Sequence, residues 1–269
     1  MLENTEMEKS PARRGEMGEM YIFRILRGRL GLVMMTNESL SIVNQSEQKA
    51  LFLDFAFYKI DRTWRMLQKK DKQLQISEFL SVFHSYKEKL TIRSYSTVGF
   101  RHEVDFLLWL TDKNVDVFQE VINGLNRTQL GKFLEIKYLW LSMTRPSTYT
   151  KRHLTAFELG EKPLRYAIVY PFVKSREWYL LPFEERKRIM EEHGRVGKEF
   201  PKVKLNTTYS FGIDDHDFVL AFETDDLSDF QEIMIKLRST EASKYIVKDT
   251  PMIVSKFENM ETIFDGLVG

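Results

Sequence analysis

The chain has 269 residues, 43% of them hydrophobic and 13% aromatic, which is ample apolar surface for a packed core and excludes a disordered chain. Lys and Arg total 40 against 39 Asp and Glu; a net charge of +1 supplies no polyanion-binding field, and nucleic acid is not an expected partner. With no cysteine there is no disulfide, thiolate metal site or thiol nucleophile, so any metal must be held by the five histidines, by Tyr or Met, or by carboxylates.

Residues 1–18 carry Glu3, Glu6, Glu8, Lys9, Arg13, Arg14 and Glu16 without an apolar stretch. They are expected to be a disordered tail rather than a signal peptide, with cytoplasmic location. The longest apolar runs, such as Tyr166 to Val173, fall far short of the roughly 20 residues of a spanning helix, so no membrane insertion is expected. Within an accessory segment, residues 19–50, Met20 to Met35 is broken at Gly28 and Gly31 and suits a strand pair. Leu51 to Ile60 then reads as a strand. Gln73 to Tyr86 places Leu74, Ile76, Phe79, Leu80 and Phe83 at helical spacing. Leu90 to Thr97 and Val104 to Leu110 read as strands, Asp112 to Leu125 as a helix with Val117, Val121 and Leu125 on one stripe, and Phe133 to Met143 as a strand.

The order βαββαβ recurs. Arg165 to Phe172 reads as a strand, Pro182 to Val196 as a helix with His193-Gly194 in its last turn, and Val203 to Phe211 and Phe218 to Phe222 as strands. Leu227 to Leu237 reads as a helix and Pro251 to Phe257 as a strand. The letters repeat as well: Asp105-Phe106-Leu107-Leu108, Thr111-Asp112 and Phe118-Gln119-Glu120 answer Asp217-Phe218-Val219-Leu220, Thr224-Asp225 and Phe230-Gln231-Glu232, an offset of 112 or 113 residues. A period that long is a domain duplication rather than a solenoid repeat. The expected fold class is α+β: two ferredoxin-like units, 51–144 and 165–259, forming a dimeric α+β barrel-type body. A connecting loop, 145–164, joins them, and residues 260–269 are expected as a C-terminal tail.

The halves differ at Tyr170-Pro-Phe-Val-Lys-Ser-Arg-Glu-Trp-Tyr-Leu-Leu-Pro182, where aromatics and cations crowd into thirteen residues with no counterpart in the first half. Pro182 opens the next helix, with Glu184 and Glu185 complementing its dipole. Read alone, His193 is a helix C-terminal residue and His153 a loop residue. His84, His102 and His216 show no ligand spacing and are read as structural.

That run, the segment through His193-Gly194, Ser210-Phe211-Gly212-Ile213-Asp214-Asp215, Phe222-Glu223-Thr224-Asp225 and Leu237-Arg238-Ser239-Thr240-Glu241-Ala242 together resemble the chlorite dismutase-like haem protein family, nearest its coproheme decarboxylase branch of the actinobacterial type. The resemblance spans about Leu51 to Phe257 and implies the same duplicated ferredoxin-like fold. It implies that His193 is the proximal ligand of the haem iron, with a carboxylate such as Glu232 orienting its other nitrogen. Tyr170 matches the redox tyrosine that forms a radical near the propionate to be oxidised. Lys174 matches a basic position facing a propionate, while Trp178, Arg238 and Ser243 match positions around the porphyrin and its propionates. His153, seventeen residues before Tyr170, matches a distal histidine that takes a proton from hydrogen peroxide. At Leu205 chlorite dismutases carry an arginine; leucine offers neither donor nor charge.

The resemblance thus implies a haem-dependent oxidoreductase that converts iron coproporphyrin III, both substrate and cofactor, to haem b with hydrogen peroxide. Its expected partners are the porphyrin and peroxide, and copies of itself in a homo-oligomer, a pentamer by family habit. The alternatives are a non-enzymatic haem-binding or sensing protein, a general peroxidase and, opposed by Leu205, a chlorite dismutase.

Overall fold

The computed structural model describes residues 50–149 and 155–268, together with the backbone of Tyr21–Ile25 and Arg29–Val33. The chain divides into two compact units, 1–49 and 50–269. In the first, β1 (Tyr21–Ile25) and β2 (Arg29–Val33) pair antiparallel, the strand pair expected between Met20 and Met35. The expectation of a disordered tail over residues 1–18 lies outside the described residues.

The second unit begins β3 (Phe52–Ile60), α1 (Arg62–Arg65), α2 (Lys69–Lys87), β4 (Thr91–Ser96), β5 (Phe106–Asp112), α3 (Asp116–Asn126) and β6 (Leu134–Met143). It continues β7 (Tyr166–Lys174), α4 (Arg176–Leu180), α5 (Phe183–Lys198), β8 (Lys204–Tyr209), β9 (Phe218–Thr224) and α6 (Leu227–Arg238). The chain closes with β10 (Ile246–Lys248), β11 (Ile253–Phe257) and α7 (Met260–Val268). Each half therefore carries the strand and helix order read from the sequence, with α1, α4, β10 and α7 in addition.

The strands run β7-β11-β4-β5-β3-β6-β8-β9, every pair antiparallel, and β9 pairs again with β7. The ring is closed, which removes the exposed edges that invite aggregation. Alternation sorts each strand's side chains into an interior set and an outer set. Leu53, Phe55, Phe57, Leu107, Trp109, Trp140, Val169, Val219 and Ala221 fill the interior, while outer-face residues pack under helices.

The two seams between halves are thin: a single residue pair, Met143 with Tyr209, joins β6 to β8, and two pairs join β11 to β4. Side chains extend the first seam. Ser210 Oγ donates to Leu141 O at 2.9 Å, Asp214 Oδ2 accepts from Leu141 N at 2.9 Å, and Thr208 Oγ1 donates to Ser142 Oγ at 2.8 Å. Gly212, at φ +75°, turns this loop back on itself where a side chain would be strained. Inside the barrel Glu223, 1% exposed, accepts from Arg93 Nη1 at 3.2 Å, Asn206 Nδ2 at 3.0 Å and Leu164 N at 3.0 Å. One carboxylate so joins strands of both halves to the end of the connecting loop. Every buried lone pair used there has a donor, the condition under which an interior charge is tolerated.

Two expectations are corrected. Residues 260–268 form a helix, not a tail: Met260, Ile263, Phe264 and Leu267 fall at helical spacing and are buried in the first-half core. Asn259 Oδ1 receives the N–H of Thr262, and the buried Lys72 donates to Val268 O at 2.7 Å at the far end, where a cation suits the helix dipole. That use of Lys72 rotates α2 so that Leu74, counted above on its apolar stripe, is 62% exposed. Among the described residues no helix is long and apolar enough to cross a membrane.

On the outer face of β3, Asp54 is buried with Oδ1 unpartnered. Burial, then the charge of Asp214, push its carboxyl up to about 7. A carboxyl raised in the fold above its unfolded value stabilises in its protonated form. Its contribution is full below about 4 and is lost as pH rises toward 7. Asp54→Asn should therefore flatten the decline in stability between pH 5 and 8 and raise stability at pH 8 by about 1–3 kcal/mol, as read by urea unfolding at the two pH values.

Candidate functional site

β7 directs Ile168, Tyr170, Phe172 and Lys174 to its outer face, toward the helices. Pro171 fits within the strand because β11 pairs only as far as Val169 and β10 takes over at Val173, so its missing N–H falls where β7 changes partner. Tyr170 is buried, stacks on Phe222 with ring centroids 6.1 Å apart, and directs its hydroxyl at Met234 Sδ, 3.8 Å away. Burial, then the charge of Asp249, push its phenol up, and Arg238 opposes them. Arg238 pairs with Asp249 at 3.4 Å.

Beyond Tyr170 the strand ends at Lys174. Asp217 Oδ2 accepts from Lys174 N at 2.8 Å and from the Tyr179 hydroxyl at 2.7 Å, tying the strand end to α4. Lys174 Nζ sits 3.2 Å from the ring centroid of buried Trp178 and 3.8 Å from Met190 Sδ. This is a cation held over an aromatic face. Burial, then Arg186, lower the ammonium to about 7, with Asp217 acting in the opposite sense.

α5 supplies the histidine. The helix, expected to reach Val196, keeps helical backbone to Lys198, with Val196 buried one turn beyond His193 and Ile189 one turn before it. His193 is thus an interior helix residue, and the helix-cap explanation for it falls. Its Nδ1 is buried without a partner. Burial, then the Lys174 charge, lower the imidazole to about 4, against Glu192. The ring is neutral near pH 7 and keeps a lone pair for a metal ion. The expected role of Glu232 in orienting it is also corrected. Glu232 is exposed on α6, whose inward stripe runs through Phe230, Ile233 and Leu237.

The outer face extends to β8. Leu205 registers with Phe222 and Ile168, and Thr207 with Leu220 and Tyr170. Leu205 is 38% exposed there, whereas Asn206 points into the barrel and spends its amide on Ala221 O and Glu223. Leu205, not Asn206, is the residue on the site face. Ser243 lies in a turn of 3-10 helix, its hydroxyl on Thr240 O at 2.7 Å. His153 lies outside the described residues. Of the other histidines, His84 bonds Glu261 at 2.7 Å, His102 is exposed, and His216 is buried 3.6 Å from Asp214. Among the described residues no group of three or more His, Asp and Glu could hold a metal.

Arg186 and Asp217 escaped the sequence reading. Arg186, Met190 and His193 fall at i, i+4, i+7 on α5, a spacing readable in the letters. Asp217 reaches Lys174 only because β8 and β9 bring it there. The residues fit an iron porphyrin: a neutral histidine with a buried nitrogen free, and two inward cations, Lys174 and Arg186, with no carboxylate bonded to either among the described residues. Aromatic walls come from Trp178, Tyr149 and Phe183.

Comparison with known proteins gives a consistent result. The family model described as Chlorite dismutase matches residues 72–257. The chain is 35% identical over 174 residues to the coproheme decarboxylase of Mycolicibacterium smegmatis, covering 64% of this chain and 75% of that protein. It is 25% identical to the chlorite dismutase of Ideonella dechloratans, covering 81% and 80%. The structure of chlorite dismutase from Candidatus Nitrospira defluvii in complex with imidazole superposes with a TM-score of 0.76 at 21% identity, covering 85% of this chain and all of that one, a likeness of fold.

Trp178 packs against Tyr245, Tyr149 and the Lys174 ammonium. Trp178→Ala should cost about 3–5 kcal/mol of stability, measured by urea unfolding of the ligand-free protein.

Proposed function

This chain belongs to the chlorite dismutase family, and from that premise we propose that it is a coproheme decarboxylase, taking iron coproporphyrin III and hydrogen peroxide and yielding haem b. The observation that carries the reading is a neutral, partly buried His193 within the field of Lys174, which in turn feels Arg186, with neither cation bonded to a carboxylate among the described residues and Tyr170 on the same strand face as Lys174. The identity to a coproheme decarboxylase supports it. We read the two halves, on the same footing, as duplicated ferredoxin-like units. We further infer a cytoplasmic homo-oligomer, by family habit a pentamer.

Each turnover converts one propionate, one peroxide and one proton to a vinyl group, carbon dioxide and two waters. When bound, the iron porphyrin supplies the redox chemistry that joins peroxide reduction to oxidation of its own propionates. His193 would hold the iron through its imidazole. Lys174, kept dry by Trp178 and Met190, gains most from an incoming carboxylate, because an ion pair replaces a poorly solvated ammonium. The buried phenol of Tyr170 stays protonated at neutral pH and so retains a hydrogen atom to donate toward an oxidising centre. Arg238 and Ser243 are assigned to the propionates, and His153 to accepting the peroxide proton. Leu205 presents no donor on the site face, which opposes chlorite as substrate.

His193→Ala should abolish the histidine-ligated absorption spectrum on titration with iron coproporphyrin III. An unchanged spectrum and affinity would remove His193 from the iron. With coproheme and peroxide, mass spectrometry should show stepwise conversion to haem b by the natural protein. Tyr170→Phe should bind coproheme with unchanged affinity yet slow conversion by about 100-fold or more; equal rates would take the tyrosine out of the chemistry.

A further inference from the structure

Five cations lie along α5, and they do not share one fate. Arg188 pairs with Glu185 and Glu241, and Arg195 with Glu199. Lys187 and Lys198 make no ion pair among the described residues. Arg186 faces the other way. It stands one turn before Met190, whose sulfur lies 3.8 Å from Lys174 Nζ, and two turns before His193. Its Nε is buried without a partner, its guanidinium lies 5.9 Å from the Phe183 ring, and its charge is felt by Lys174. Two cations are thus held together at a partly buried place with no carboxylate bonded to either among the described residues. Asp217, the nearest acid to Lys174 by charge, spends Oδ2 on Lys174 N and the Tyr179 hydroxyl. Such a pair is unfavourable by itself and becomes favourable when an anion sits between the charges.

We infer that Arg186 is a carboxylate-binding residue of this pocket, presenting its Nε edge to one carboxylate of the bound porphyrin that Lys174 also contacts. The guanidinium edge matches a carboxylate with two parallel hydrogen bonds, and the buried Nε–H is one of them. An ammonium would supply the charge but not the fork. This assignment rests on the porphyrin reading above.

The test is a cycle of protein and ligand variants followed by absorption titration of the full chain, with no turnover required. Iron coproporphyrin III is compared with its tetraamide, which keeps the size and shape of the four side chains but not their charge. Arg186→Gln should weaken binding of the carboxylate form about 10- to 100-fold and of the tetraamide less than about twofold. Arg186→Lys should recover part of the loss. An equal loss on both ligands, or no loss on the carboxylate form, would overturn the assignment. Natural protein that binds neither porphyrin would overturn the porphyrin reading and this assignment with it. Natural protein that binds both while the Arg186 variants match it would overturn the assignment alone.

Discussion

Glu223 accepts hydrogen bonds from three separate parts of the second unit: Arg93 from the first half, Asn206 from the second, and the backbone of Leu164 where the connecting loop enters β7. The barrel needs such a tie because its two inter-half seams hold only one and two paired residues. A carboxylate in the apolar interior is costly unless its oxygens are satisfied, and here both are. Arg93 is in turn laid over Trp109, 5.0 Å from its ring, so the ion pair is packed as well as bonded. Asn206, which also receives the N–H of Phe157 at 3.3 Å, is fixed by the same network, and its inward turn is what sends Leu205 to the outer face.

The loop between β8 and β9 serves both the seam and the site. Asp214 bonds the backbone of β6 beside the seam, and Asp217, three residues on, grips the end of β7 and Tyr179 of α4. Closure of the barrel and the placing of Lys174 are therefore parts of one structure. Lys174, Arg186 and His193 are all held short of full solvation, which leaves the imidazole neutral, and neither cation is bonded to a carboxylate among the described residues. Such a site stores its unfavourable electrostatics against a ligand that supplies negative charge and a metal together.

Much of the site could be read in the letters, because several of its residues sit at helical or strand spacing. Tyr170 and Lys174 share a strand face by parity, and Arg186, Met190 and His193 share a helix face. Other parts had no local signal. Glu232 looked suitable for supporting His193, but the rotation of α6 is set by Phe230, Ile233 and Leu237 packing on the sheet, which turns Glu232 to solvent. Leu74 was misplaced for a similar reason: Lys72 is drawn inward by the carbonyl at the end of α7, a partner 196 residues away in the chain. The α7 stripe itself was present in Met260, Ile263, Phe264 and Leu267, yet nine residues are too few to form a helix without a core to cover.

By itself the sequence determined the α+β order, the repeat of that order at an offset of 112 or 113 residues, and the apolar alternation that gives each strand two faces. These are short-range properties, carried by side-chain periodicity and turn residues. Only the tertiary structure decided that the sheet closes, that Glu223 and Arg93 meet inside it, and that the charge of Arg186 reaches Lys174. Each of those depends on which buried group finds a partner far along the chain. That choice rests on desolvation and packing rather than on local propensity.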